Sequence, residues 1–310
     1  MLIMIILYII ILIYNSNENI IKNIIITFLN ISKESLDLYL KFIGVKKDSI
    51  SLDEDSLKKL AFGHVSHIAY QNQTIYNKLP LNLNPEYLIQ KLVKNKEGGM
   101  CYETSDLFFA VLVKLGFKSK RIKAYPLNGK PYNPKAPSSH NIIIVDINGK
   151  LFLIDVGYGN NSLRYPVDFN FEKTNIKEVF KGEVYEFEVH DNYYQLNIKI
   201  KDKFESMYRF NRPFEEIDEK ETLENMDKIL NYDGMMPIRD LYLKSSLLND
   251  KGKIGFYAEP KNGISKAYKF TEEQGNRNKF FFKNWEEFID ELKKTLNVDM
   301  SETIKNNAKY

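Results

Sequence analysis

Cysteine is almost absent from this 310-residue chain, which has only Cys101. A single cysteine excludes an intrachain disulfide and any metal site that needs two thiolates, and it fits a reducing compartment. Histidine is also scarce, at four residues. His64 and His67 stand three apart on a helical stretch with no third ligand near them in sequence, so they read as structural, and no metal is expected. The net charge is only +3, and no basic run is interleaved with aromatics, so the signature of nucleic-acid binding is missing. Internal repeats are absent. So is an apolar run of the ~20 residues that a membrane-spanning helix needs.

The longest apolar run is MLIMIILYIIILIY at residues 1–14. It lacks the basic flank and the small-residue cleavage site of a secretory signal. Three readings stay open for it: a retained membrane anchor, a buried or frayed helix, or sequence upstream of the true start. Residues 1–34 are taken as an N-terminal extension, and membrane contact by residues 1–14 is the alternative to a cytoplasmic protein. The sequons at Asn72 and Asn160 fall where the candidate site falls, which argues against secretion; a third begins at Asn30.

Apolar residues make up 44% of the chain and aromatics 13%, enough for a sizeable core. From Ser35 the pattern is helical. ESLDLYLKFIGV stops at Gly44, and LDEDSLKKLAFGHVSHIAYQN has its acidic residues in the first turn, where the helix dipole favours them. NPEYLIQKLVKNK has Pro85 at a position that a first turn accepts. Gly98-Gly99 then breaks the chain ahead of CYETSDLFFAVLVKLGF, a strong apolar helix that ends at Gly116. After Gly116 the period becomes two. KRIKAYPL, NIIIVDI, LFLIDV, EVYEFEV, YYQLNIKI and ESMYRF read as short strands, with a hairpin turn at Asn148-Gly149. A Lys- and Glu-rich region follows from Phe214, then two strands (KIGFYAE, KAYKFTE) and the helix NWEEFIDELKKTL, where Trp285 is a packing residue. This order predicts an α+β chain: a helical domain at 35–117, an antiparallel barrel or sheet domain at 118–213 and an α/β lid at 214–310.

The chemistry centres on Cys101. Taken alone, a lone cysteine reads as a small buried hydrophobe. This one sits at the mouth of an apolar helix, just after two glycines that allow a sharp turn and a close approach. A helix N-terminus favours a thiolate, and the thiolate is the nucleophile. The base follows from register. A two-residue turn at Asn148-Gly149 places Ile147 opposite Lys150 and Ile142 opposite Asp155. His140 then shares a face with Asp155 as its diagonal neighbour. Asp155 lies in the apolar run LFLIDVGYG, where a carboxylate demands a partner. Such a pair either holds the sheet together or orients a catalytic imidazole. With Cys101 it makes nucleophile, base and orienting carboxylate. Glu103 reads as a first-turn helix residue, and His190 as an exposed strand-border residue.

GGMCYE, SHNIIIVDINGKLFLIDVGYG and the earlier HIAYQN, in that order and spacing, resemble the arylamine N-acetyltransferase family over roughly residues 35–210. The resemblance implies an N-terminal helical bundle, a central antiparallel β-barrel and a C-terminal α/β lid around a cysteine-protease or transglutaminase-like core. It implies catalysis by Cys101, His140 and Asp155, with acetyl-CoA as donor and an aromatic amine or hydrazine as acceptor. Tyr70 and Tyr158 would contact substrate, Gly157 and Gly159 would border the donor, and two phenols would make the pocket more polar. Three positions depart from the family pattern. Glu97 stands where an arginine precedes Gly-Gly, Gln71 replaces the acidic residue of P-F-E-N, and Ser105 replaces an asparagine. The first two normally form an ion pair, and Gln71 retains the capacity to hydrogen-bond Glu97. A cysteine hydrolase of protease or transglutaminase type, and an inactive binding descendant, are the rival readings.

Overall fold

The computed structural model describes residues 31–308 except residue 236. The apolar run at 1–14, and all of the 1–34 extension before residue 31, lie outside the described residues.

Helix α1 (Lys33–Phe42) begins at Ser32, whose side chain accepts the Ser35 N–H, and α2 (Glu54–His67) begins at Asp53, which accepts that of Ser56. Each cap satisfies an amide that a helix start leaves free. The helical reading past His67 is corrected. The chain extends there as β1 (Tyr70–Gln71) because Gly99 N–H donates to the Ala69 carbonyl at 3.0 Å and Gln71 N–H to the Gly99 carbonyl at 2.9 Å. Two short turns follow, α3 (Gln73–Tyr76) and α4 (Pro85–Leu88), the latter running into a wider π-helical stretch, Ile89–Lys94. Helix α5 (Cys101–Leu115) ends at Gly116, whose φ of 95° is a left-handed conformation that suits glycine.

The next seven strands are β2 (Lys118–Pro126), β3 (His140–Ile147), β4 (Lys150–Ile154), β5 (Asn175–Phe180), β6 (Glu183–Val189), β7 (Tyr193–Ile200) and β8 (Lys203–Asn211). They form one antiparallel sheet in the order β4–β3–β2–β8–β7–β6–β5. The Asn148-Gly149 turn pairs Ile147 with Lys150 and Ile143 with Ile154, the register its sequence predicts. The Lys- and Glu-rich region is more ordered than its composition indicated. It contains α6 (Glu219–Asn231) and β9 (Leu243–Leu248), followed by β10 (Lys253–Ala258), β11 (Tyr268–Glu273), β12 (Asn276–Phe281), α7 (Trp285–Leu296) and α8 (Ser301–Asn307). The second antiparallel sheet runs β1–β9–β10–β11–β12, so the segment before α5 is hydrogen-bonded to the C-terminal part of the chain.

Two apolar cores sandwich β3 and β4. Leu107, Phe108 and Leu112 of α5 pack with Ile143, Val145, Phe152 and Ile154 on one face of the pair. On the other face, Ile142, Ile144 and Leu153 pack with Tyr185, Phe187, Leu196 and Tyr208. Burial on both faces explains the unbroken apolar run of NIIIVDI, and each such side chain contributes about 1.5–3 kcal/mol. A third core joins the five-stranded sheet to α7 through Phe256, Trp285, Phe288 and Leu292. No helix among the described residues is long and apolar enough to cross a membrane.

Candidate active site

The register that buries alternate residues of β3 and β4 also brings His140 and Asp155 together inside the seven-stranded sheet. His140 Nε2 lies 3.0 Å from Asp155 Oδ2, and both side chains are essentially inaccessible to solvent. The other carboxylate oxygen, Oδ1, accepts the Gly157 N–H at 3.0 Å. Asp155 therefore has a partner on each oxygen, as a carboxylate in an apolar strand requires. Tyr158 and Tyr208 pack on the imidazole at ring distances of 5.1 and 5.5 Å and fix its plane.

Cys101 enters from the side as the first residue of α5, partly exposed, with its Sγ 3.6 Å from the Ser139 carbonyl. It neighbours the imidazole across the β3 start. Burial pushes the His140 pKa down. The charge and hydrogen bond of Asp155, and the adjacent Cys101, outweigh that and hold it up at about 10. The arrangement favours imidazolium beside the sulfur.

Several contacts hold Cys101 in place. A Cβ on Gly157 would come within 2.8 Å of the Cys101 carbonyl and 3.1 Å of its Cα, so the chain leaving β4 packs directly on the Cys101 backbone. Gly98 has a φ of 69°, and a Cβ there would stand 2.6 Å from the Ala69 carbonyl. Tyr102 donates to the Ser138 carbonyl at 2.7 Å and clamps the helix start to the segment before His140. One turn further along α5, Asp106 accepts from Arg121 at 2.5 Å and from Asn141 at 2.8 Å, binding α5 to β2 and β3.

Of the three departures from the family pattern, the Gln71–Glu97 contact is the one that the structure corrects. Gln71 and Glu97 do not bond each other. The left-handed Gly98 leaves Glu97 in solvent, where it accepts from Asn95, while Gln71 donates to the Gly98 carbonyl at 3.2 Å and accepts the Gln73 N–H. The buried charge pair lies elsewhere. Lys91 Nζ reaches Glu103 Oε1 at 2.6 Å, and the second Glu103 oxygen accepts the Met100 N–H at 2.9 Å and the Thr74 hydroxyl at 3.2 Å. Ser105 is buried against Gly157, where its hydroxyl finds no hydrogen-bond partner among the described residues.

Tyr70 is packed near Cys101, Tyr158 and Tyr242, and burial, with the Cys101 charge next, holds its phenol well above the ordinary value. The Tyr158 hydroxyl is already engaged, donating to the Met207 carbonyl at 2.6 Å with Asn128 Oδ1 at 3.0 Å, so it adds no free polar group to the site. A Cβ on Gly159, whose φ is 69°, would stand 3.2 Å from the Tyr70 ring. All seven site residues named from the sequence therefore come together. Sequence reasoning missed Lys91, Tyr102, Asp106 and Arg121. Asp106 carried the same signal as Asp155, a carboxylate in an apolar run. Lys91 carried none, because a lysine in a polar helical stretch reads as solvated. His64 and His67 serve the fold, His64 through the Tyr39 hydroxyl at 2.8 Å and His67 through the Gly63 carbonyl at 2.9 Å.

Residues 53–230, more than half of the chain, match the family model described as N-acetyltransferase. Arylamine N-acetyltransferase 2 of Rattus norvegicus is 25% identical over 126 residues, which cover 41% of this chain and 43% of that protein. The arylamine N-acetyltransferase of Mycobacterium tuberculosis is 28% identical over 160 residues, covering 50% of this chain and 56% of the other. The chain thus spans about half the length of the curated relatives it matches. Among solved structures, the arylamine N-acetyltransferase of Salmonella typhimurium superposes with a TM-score of 0.74 at 17% identity over 87% of this chain and 92% of that one. The Mycobacterium marinum enzyme in complex with CoA superposes at 0.73 and 19% identity over 88% and 100%. A shared fold and a family match over the segment that contains Cys101, His140 and Asp155 lead to one assignment: this chain belongs to the arylamine N-acetyltransferase family.

Proposed function

We propose that this protein carries acetyl groups from acetyl-CoA to an aromatic amine or hydrazine through a thioester on Cys101. The observation that carries the reading is a thiol at a helix mouth beside an imidazole whose far nitrogen is held by a buried carboxylate 3.0 Å away. In the first half-reaction His140 Nδ1 takes the Sγ proton and the thiolate attacks the thioester carbonyl. The first-turn N–H groups of α5 would hold the developing oxyanion. The bond to the coenzyme sulfur breaks, and His140 returns the proton to that sulfur. In the second half-reaction the amine nitrogen attacks the acetyl-enzyme, His140 takes its proton, and Cys101 is released as the amide forms. Asp155 keeps the imidazole in one tautomer throughout. Tyr70 would line the acceptor side, and Gly159 would leave room for the donor beside it. Gly157 would act by letting the chain after β4 approach Cys101.

The finer architecture belongs to the same reading: a helical bundle at 35–117, a barrel-like unit at 118–213 and a lid at 214–310, on a core of the cysteine-protease and transglutaminase kind. The pairing of Tyr70 with Ser246, which ties the five-stranded sheet to the site, supports a lid role for that sheet. A free nucleophilic thiol fits the reducing cytoplasm.

The test is intact-mass measurement after incubation with acetyl-CoA alone. Wild type is expected to gain about 42 Da and Cys101→Ala nothing, and an aromatic amine should clear the adduct. A wild type that takes no acetyl group and releases no coenzyme A would sink the donor assignment.

A further inference from the structure

Helix α5 grips the start of β3 on both sides of His140. Tyr102 follows Cys101, and Asp106 stands four residues beyond Tyr102, so the two side chains leave one face of the helix. The Tyr102 hydroxyl donates to the carbonyl of Ser138, two residues before His140. Asp106 Oδ1 accepts the side-chain N–H of Asn141, the residue after His140. Successive side chains of a strand point to opposite faces. The strand therefore turns the His140 imidazole to Asp155 and the Asn141 amide to α5.

Stability does not explain these contacts. On the α5 side, β3 continues with Ile143 and Val145, which pack as an apolar surface. An apolar residue at 141 facing another at 106 would complete that surface. Asn141 is instead fully buried, and its Oδ1 has no hydrogen-bond partner among the described residues. Burial raises the Asp106 carboxyl above its ordinary value, against the charge of Arg121 and the Asn141 bond. The anion is therefore less stable in the fold than in water. A buried polar cluster of this kind is better suited to fixing a register than to adding stability. Tyr102 is similar, because phenylalanine would fill the same buried space without a hydroxyl to satisfy.

The register at stake is that of Cys101 against His140. The two residues stand on different elements, and α5 packs on β3 largely through apolar side chains. Apolar burial is non-directional and leaves room to slide, whereas a hydrogen bond fixes distance and angle. The direct polar contact of the sulfur with this segment is long, 3.6 Å to the Ser139 carbonyl. The two ties from Tyr102 and Asp106 are shorter, at 2.7 and 2.8 Å, and bracket His140.

We propose that Tyr102 and Asp106 are positioning residues that act through Ser138 and Asn141 to set the Cys101 sulfur against the His140 imidazole. The proposal rests on the Cys101–His140 reading above.

The test uses the full chain with Tyr102→Phe, with Asn141→Leu, with both, and with the exchange Asp106→Asn/Asn141→Asp. The exchange keeps one carboxylate and one amide at the tie. The readout is the pH profile of Cys101 alkylation by iodoacetamide, which needs no acyl donor, with melting temperature measured alongside. Wild type is expected to stay reactive well below the ordinary cysteine value of about 8.5. Each single variant should slow alkylation at neutral pH about tenfold and move the midpoint of the profile toward 8.5, and the double variant should lose about a hundredfold. The exchange should stay within about threefold of wild type, because it restores the bond. Profiles of Tyr102→Phe and Asn141→Leu that superpose on wild type overturn the proposal, and a lowered melting temperature with an unmoved profile shows that the ties serve the fold alone. A wild-type Cys101 that titrates at the ordinary value sinks the Cys101–His140 reading and the proposal with it. A wild type that alkylates as expected but takes no acetyl group from acetyl-CoA removes the donor, while slowed variants still establish the positioning role.

Discussion

The surroundings of Cys101 and the cleft between the two sheets handle charge in opposite ways. Around Cys101 every buried charge has a partner: His140 with Asp155, Lys91 with Glu103, Arg121 with Asp106. Along the cleft, cations exceed carboxylates and Lys244 has no counter-ion among the described residues. Paired buried charges fix geometry, because separating them leaves a desolvated ion behind. An unpaired buried charge gives the fold no such fixed geometry. The difference separates a region whose geometry is fixed by paired charges from one whose charge is left in excess.

The sharpest way to break the paired region is Asp155→Asn, which leaves the shape but removes the charge that stabilises imidazolium. Turnover is expected to fall roughly 10³- to 10⁴-fold, and alkylation of Cys101 by iodoacetamide at neutral pH should slow with it. The same variant tests a pH dependence. The His140 pKa is raised on folding, so the stability it confers is fully present below the ordinary histidine value of about 6.5 and lost as the pH rises through about 10. The gap in melting temperature between wild type and Asp155→Asn should therefore be widest in mild acid and close in alkali.

Next comes Lys91→Met, which strands the buried Glu103 two residues after Cys101. It should destabilise the protein by about 3 kcal/mol in a denaturant titration, and adding Glu103→Gln should recover part of the loss. If Lys91→Met proves neutral, the pair does not hold the helix start. Gly157→Ala leaves every charge in place and pushes a methyl group toward the Cys101 carbonyl. A displacement of the sulfur approaching 1 Å costs about a hundredfold in rate. Stability that falls while activity holds would show that the backbone, not the nucleophile, yields.

How far the site could be read from sequence depended on the kind of signal. His140 and Asp155 were accessible because a two-residue turn makes register countable, and five paired positions of β3 and β4 follow from it. Cys101 was accessible because glycines and an apolar helix flank it. The partner of Glu103 was not, because Lys91 is distant along the chain and comes inward only where the helix widens at Ile89–Lys94. The supposed contact between Gln71 and Glu97 failed for a local reason, since the left-handed Gly98 between strand and helix turns the chain away from it. Strand β9 was missed because LKSSLL has little β-branched character, and it forms by pairing with β1 and β10.

By itself the sequence determined the α+β order, the cysteine at a helix mouth and the His–Asp register, because each rests on neighbours along the chain or across one tight turn. Only the tertiary structure decided which buried charges pair, where Tyr158 spends its hydroxyl and that a basic cleft opens beside Tyr70. Those depend on segments far apart in sequence, and the partners of a buried charge are set by packing, which no local pattern records.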